Sequence, residues 1–347
     1  MNVPLWLWLA TIGGLLALIA VDLVLVDRKP HRVSTGEAAR WVIFYISCAV
    51  VFGAAVWMLG GHDPGVEFFT GYITEYSLSV DNLFIFMVIM SSFKVPAIHQ
   101  HRVLLIGILL ALVMRGAFIA VGAALIAQFV WIFFVFGAVL VWTAVSMVRD
   151  KGGHDEYHEN AVTKWVRKIF PVTEDYVGHR STVKRDGKRW ITPMFVVIVA
   201  IGSADLLFAV DSIPAIFGIT QDAYLVFAAN AFALMGLRQL YFLLGGLVTK
   251  LVYLSYGLAI ILGFIGAKLF LHALHEYHVV PDWLEINNWL SLGVIVAVLT
   301  VTTVASLYKT RRDPDAAAGP NLMLDAEAPE ERAARAQAEE AATAAER

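Results

Sequence analysis

Two eight-residue stretches carry the side chains best suited to chemistry. Glu75-Tyr76-Ser77-Leu78-Ser79-Val80-Asp81-Asn82 and Asp205-Leu206-Leu207-Phe208-Ala209-Val210-Asp211-Ser212 share one pattern: an acid, five residues, a second acid, then a small polar side chain. Carboxylate oxygens, with Asn82 and Ser212 as neutral helpers, form a hard-ligand set suited to Mg, Mn or Ca, whereas soft metals would want thiolates. The candidate metal ligands are therefore Glu75, Asp81, Asn82, Asp205, Asp211 and Ser212. With no ion bound, one or more of these acids is expected to hold a proton, so protons are the natural coupling ion for cation exchange. An arginine occupies the apolar stretch that follows each motif, Arg115 and Arg238, and each is either a structural counter-ion or a gating element.

Six residues on an ideal helix advance about 9 Å and turn about 600°, so the two acids of one motif point roughly 120° apart. Both cannot face one ion from a straight helix. Pro214 and the Gly202-Ser203 pair offer places to bend the second segment. The expected arrangement sets Asp81 against Asp211 across a pseudo-twofold axis, with Glu75 and Asp205 as an outer shell or a second station.

The elements that must position these residues are membrane spans. Of the 347 residues, 59% are hydrophobic and 16% charged, against about half and a quarter in soluble domains. Nine stretches approach the roughly 20 apolar residues that cross a bilayer: residues 4–26, 41–60, 68–92, 103–123, 127–148, 193–217, 223–245, 251–273 and 288–308. The first lacks a basic leading region and is expected to be retained as a span. A charge at mid-bilayer costs about 2.5–3.5 kcal/mol on insertion scales, so four acids inside spans argue for function. The matching motifs lie three crossings apart and enter from opposite sides, which predicts an inverted three-plus-three repeat with its substrate near the midplane. The predicted fold class is an all-α polytopic bundle of about nine transmembrane helices.

Orientation follows from basic residues, which favour the cytoplasm. Arg28, Lys29, Arg32 and Arg40, then Lys94 and Arg102, then ten Lys and Arg between Arg149 and Arg189, then Lys250, fall in alternate loops, and Lys309, Arg311 and Arg312 follow the last span. This predicts an outer N-terminus and a cytoplasmic C-terminus in a bacterial inner membrane. Lys268, near the outer end of its span, is expected to snorkel. The division is residues 1–148 (first five spans), 149–192 (a cytoplasmic loop with a basic amphipathic helix from Ala161 to Phe170 and a hairpin turn at Asp186-Gly187), 193–308 (four spans) and 309–347 (a disordered tail).

Lesser signals are His272, His275 and His278 with Glu276, a candidate outer metal-release site, and His154, Asp155, Glu156, His158 and Glu159, a candidate capture site. Each is more simply a polar helix end or a solvated loop. Gly245-Gly246 and Gly263 with Gly266 are expected to allow close helix packing. Trp6, Trp8, Trp131, Trp283 and Trp289 read as interface anchors. The net charge of −3 gives no electrostatic case for nucleic acid. The single cysteine, Cys48, cannot form an intramolecular disulfide.

The runs Glu75 to Asn82, Asp205 to Phe217 and Asn230 to Leu244 closely resemble the TerC family, integral membrane proteins named for tellurium resistance. The resemblance extends from about residue 40 to 308 and includes Phe170 to Asp175 and the Thr192-Pro193 entry to the sixth span. It implies an inner-membrane helical bundle whose activity in several members is manganese(II) efflux, or manganese supply to exported proteins. The acids it matches are Glu75, Asp81, Asp205 and Asp211. One departure is Gly202, where many members carry a glutamate.

The leading expectation is thus a secondary transporter for divalent cations, manganese above all, with no permanently bound cofactor and no enzymatic activity. The alternative is a membrane scaffold that passes metal to exported proteins, or aids tellurite or metal resistance, without transport. Lipid, the cation, protons, secretion machinery and further copies of the chain are the partners considered. An intramembrane aspartyl protease would need Gly-x-Gly-Asp, and Ala209-Val210-Asp211 does not supply it. No P-loop is present, so transport would draw on gradients.

Overall fold

In lipid every backbone polar group must be satisfied within the chain, so long apolar stretches close into helices. The structure, a computed structural model, describes residues 3–26, 35–149, 161–173, 176, 180–185, 188–244, 253–281, 284 and 286–312. Its helices are α1 Leu5–Val26, α2 Thr35–Gly60, α3 His62–Ser92, α4 Ala97–Gln128, α5 Ile132–Arg149, α6 Ala161–Ile169, α7 Pro193–Phe217, α8 Ala223–Met235, α9 Leu237–Leu244, α10 Leu254–Glu276 and α11 Asn288–Arg312. Among the described residues eight spans are long and apolar enough to cross a membrane, α8 and α9 counting together as one. The ninth expected span is α1, whose 22 residues would reach about 33 Å at 1.5 Å per residue. The chain is an all-α polytopic membrane bundle.

Local signals set the helix ends. Pro193 opens α7 at a position where its missing N–H costs nothing. Asp222 caps α8 by accepting from the Tyr224 amide at 3.0 Å. After α3, Lys94 turns left-handed (φ 50°) and the Val95 amide reaches back to the Met90 carbonyl at 2.9 Å, closing the last turn.

The interior is built by α3, α4, α7 and α8. Helix α3 packs on α8 and α7, α4 packs on α7, and α5 packs along α10, while α1 and α11 lie at the periphery. Peripheral helices keep large apolar side chains exposed, such as Trp142, Val301 and Val304, as lipid-facing surfaces do. Trp6, Trp131 and Trp289 are exposed at helix ends, whereas Trp8 packs against Tyr224 and Phe227. Trp283 lies outside the described residues.

Helices α5 and α10 approach closely at Gly137 and Gly266. A Cβ on Gly137 would stand 3.0 Å from the Gly266 carbonyl oxygen, and one on Gly266 3.1 Å from that of Gly137. Gly263 meets only Ala144 at an ordinary 3.8 Å, and Gly245-Gly246 lies outside the described residues. Because backbone cannot yield as a side chain can, Gly137→Val should destabilise the solubilised protein by about 1–3 kcal/mol. Thermal unfolding in detergent measures this, with Gly263→Ala as the neutral comparison.

Between α5 and α7, α6 buries Thr163 and Val166 and exposes Lys164, Arg167 and Lys168. The pair β1 Thr182–Arg185 and β2 Lys188–Ile191 is antiparallel, with Arg185 opposite Lys188. The expected turn at Asp186-Gly187 lies outside the described residues, as do His154 to Glu159 and the tail from residue 313. Tyr176 fastens this segment to the bundle by donating to the Phe93 carbonyl at 2.9 Å, and burial pushes its phenol pKa up.

Candidate functional site

The two acidic motifs lie on α3 and α7, which run antiparallel against each other. Glu67 accepts from Thr220 Oγ1 at 2.6 Å, and four residues further along each helix Gly71 lies against Ile216. By helical spacing Glu67, Gly71, Glu75, Ser79 and Asn82 share one face of α3. Ile216, Ser212, Ala209 and Asp205 share one face of α7, and all four are buried.

Arg115 on α4 is the centre of this interface. Its Nε and NH2 groups donate to the two oxygens of Asp205 at 3.2 and 3.1 Å, and its NH1 group donates to Glu75 Oε1. Arg115 and Glu75 are each 1% exposed and Asp205 is 2% exposed. A planar guanidinium suits this fork, since it presents donors to two carboxylates at once. The first acids of the two motifs thus meet at one cation, and a single positive charge faces two negative ones.

The second acids are placed differently. Asp81 and Asp211 are half-buried, and Asp211 lies within electrostatic range of both Asp81 and Arg115. Asp81 accepts from Ser255 Oγ at the start of α10, at 3.3 Å. Asn82 and Ser212 are buried beside them in sequence, and Ser212 Oγ finds no hydrogen-bond partner among the described residues. Among the described residues no three His, Cys, Asp or Glu side chains converge on one point.

The sixth span is not interrupted at the residues singled out for bending or unwinding. Helix α7 runs unbroken through Gly202, Ser203 and Pro214. Gly202 instead makes room for α4, since a Cβ there would stand 2.6 Å from Leu110 Cδ2. Pro214 sits in the last turn, where its carbonyl accepts from Gly218 at 3.0 Å. The break falls in the seventh span, at Gly236 between α8 and α9. Arg238 lies just beyond it, 1% exposed, beside a small cavity lined by Tyr45, Leu105, Ile108 and Leu109. Arg115, not Arg238, carries the pairing with Glu75 and Asp205.

Lys268 is 9% exposed, lines a cleft at the end of the bundle and donates to Asn288 Oδ1 at 2.8 Å and Ser291 Oγ at 3.2 Å, at the start of α11. Asn288 in turn donates to Glu67 at 3.1 Å. Of the histidine group, His272 lines the cleft above these residues and pairs with Gln221 at 2.8 Å. Glu276 and His278 are exposed at the helix end. Reading the sequence missed Glu67, Ser79 and Asn230. Glu67 continues the α3 stripe two turns before Glu75, a spacing that could have revealed it. Asn230 on α8 is 1% exposed, and neither its amide oxygen nor its nitrogen finds a partner among the described residues. It follows Ala229, which touches the Gly71–Ile216 contact.

A bundle with ionisable side chains enclosed between apolar helices defines a polytopic integral membrane protein with a polar centre. The chain belongs to the TerC family of integral membrane proteins, whose family model matches residues 60–314. It is 45% identical to an uncharacterized membrane protein of Mycobacterium tuberculosis over 316 residues, covering 88% of this chain and 79% of that one. A counterpart from Myxococcus xanthus, also an uncharacterized membrane protein, is 40% identical over 89% of this chain and 94% of its own length. The Escherichia coli protein named "Putative membrane-bound redox modulator Alx" is 35% identical over 85% of this chain and 92% of its length. No solved structure matches the chain significantly.

Proposed function

We propose that the protein is a secondary transporter that exports divalent metal cations, manganese(II) foremost, through the acids between α3 and α7, in exchange for protons. The observation that supports this most is the meeting of Glu75 and Asp205, the first acids of two equivalent motifs, on the Arg115 guanidinium. Arg115 is a resident counter-ion that holds the site in the absence of cargo. A dication arriving at Asp81 and Asp211 competes with it for the remaining carboxylates, and withdrawal of Arg115 gathers oxygens from both helices. Ser212, Asn82 and the free oxygen of Glu75 add neutral and anionic ligands of the hard type that manganese and magnesium prefer. A site that is incomplete in one conformation also releases its ion, which conduction requires. When the cation leaves, protons or Arg115 restore the charge balance.

The packing pattern supports an inverted repeat of α3 to α5 against α7 to α10. Exchanging the halves turns the α3–α8 pair into the α7–α4 pair and leaves α5–α10 unchanged. Alternate loops rich in Lys and Arg support a cytoplasmic α6 end. The redox wording attached to the Escherichia coli relative fits an indirect effect of moving a redox-active cation, because the one cysteine here forms no internal dithiol. Tellurite is a poor cargo for this site, since an oxyanion meets carboxylates of its own sign.

Reconstitution into sealed proteoliposomes, with a panel of divalent ions and an imposed pH gradient, tests the proposal. Manganese flux that collapses when the gradient is dissipated is the expected result. No movement of any divalent ion above protein-free liposomes would sink the transport reading and favour a scaffold that hands metal on.

A further inference from the structure

At the end of the bundle where α3 begins and α7 ends lies a cleft of about 690 Å³. Asp63, Glu67 and Asp222 line it against one lysine, Lys268, with Thr220 and His272 on its walls. Its floor is the Glu67–Thr220 hydrogen bond, which is also the first rung of the α3–α7 interface. Eight residues along α3, about 12 Å at helical rise, stands Glu75, and eight residues back from Thr220 stands Ser212 on α7. Both carry a buried oxygen that finds no partner among the described residues, Oε2 of Glu75 and Oγ of Ser212. A buried oxygen without a partner costs free energy, so its position calls for a role.

Between Glu67 and Glu75 along α3 lies an apolar contact. A Cβ on Gly71 would stand 3.3 Å from Ile216 Cγ1, 3.4 Å from Ile216 Cδ1 and 3.5 Å from Ala229 Cβ. Gly71, Ile216 and Ala229 are all buried, at 1% exposure for Ile216 and for Ala229. The Ile216 side chain therefore rests on bare backbone at Gly71, where α3 presents no side chain against it.

We propose that the α3–α7 interface is the passage between the buried acids and this cleft. The cleft is the outer mouth through which a divalent cation leaves and is rehydrated, and Ile216 seated on Gly71 is its gate. Glu67 is the charged group at the threshold, held by Thr220 and Asn288. This inference rests on the transport reading for the identity of the cargo, while the passage itself is tested without any flux measurement.

The test uses the full chain in nanodiscs, with both faces open and Cys48→Ala as background. Single cysteines at Gln221, in the mouth, and at Ser212, behind the gate, are modified with a charged methanethiosulfonate reagent. Gln221→Cys should react rapidly with or without Ile216→Ala, which also reports folding. Ser212→Cys should react at least about tenfold faster when Ile216→Ala is present, and Ile216→Val should give an intermediate rate. An unchanged Ser212→Cys rate in both gate variants, with Gln221→Cys still reactive, overturns the passage. Manganese chloride should slow modification at Gln221→Cys, and Glu67→Gln should remove that protection. Protection that persists in Glu67→Gln overturns its part at the threshold. If the gate variants behave as expected but proteoliposomes move no divalent ion, the passage stands and the cargo assignment fails.

Discussion

Arg115→Ala should lower the stability of the solubilised protein by about 3–5 kcal/mol, the cost of removing one partner from a buried charge pair. The guanidinium makes three donations to two carboxylates from a position 1% exposed, and its loss leaves Glu75 and Asp205 facing each other without a counter-charge. Arg115→Lys keeps the charge but loses the fork, and should recover only part of the loss. The triple change Arg115→Ala, Glu75→Gln, Asp205→Asn should be markedly more stable than Arg115→Ala alone, because no uncompensated charge remains. Thermal unfolding followed by fluorescence-detected size-exclusion chromatography reads all three. If Arg115→Ala unfolds at the wild-type temperature, the guanidinium is not holding the two motifs together.

The second large effect concerns Asp81 and Asp211. Each lies outside the Arg115 fork, and Asp211 senses both Asp81 and Arg115. Asp81→Asn or Asp211→Asn should reduce manganese efflux from cells lacking their own exporters by about 100-fold, equivalent to roughly 2.7 kcal/mol of cation stabilisation. Protein levels and thermal stability should stay close to wild type, since neither acid is tied into the fork. Full efflux in both variants would remove these aspartates from the path. Glu75→Gln should differ in kind, because it weakens the fork and changes stability together with transport.

The two sets of variants test whether the acids divide into those that hold the bundle and those proposed to serve the cargo. Spacing alone could not make that distinction, because Glu75 and Asp205 occupy the same motif position and look as suited to metal as Asp81 and Asp211. What divides them is Arg115, which reaches across from α4 and engages the first acid of each motif.

The amino-acid order by itself determined the helical spans, the paired motifs and the placement of charge inside lipid, because hydropathy over some twenty residues and a repeated acid spacing are local properties. It also set the amphipathic helix α6 and the strands flanking Asp186-Gly187, which depend on neighbours a few positions away. Only the tertiary structure decided that Arg115 meets Glu75 and Asp205, that α7 is unbroken while the chain breaks at Gly236, and that Lys268 donates to Asn288 and Ser291. It likewise joined Glu67 to Thr220 and set Gly71 against Ile216. Those outcomes depend on how helices distant in sequence rotate and slide against each other. Apolar faces in lipid leave that choice to close packing and to the pairing of buried charges.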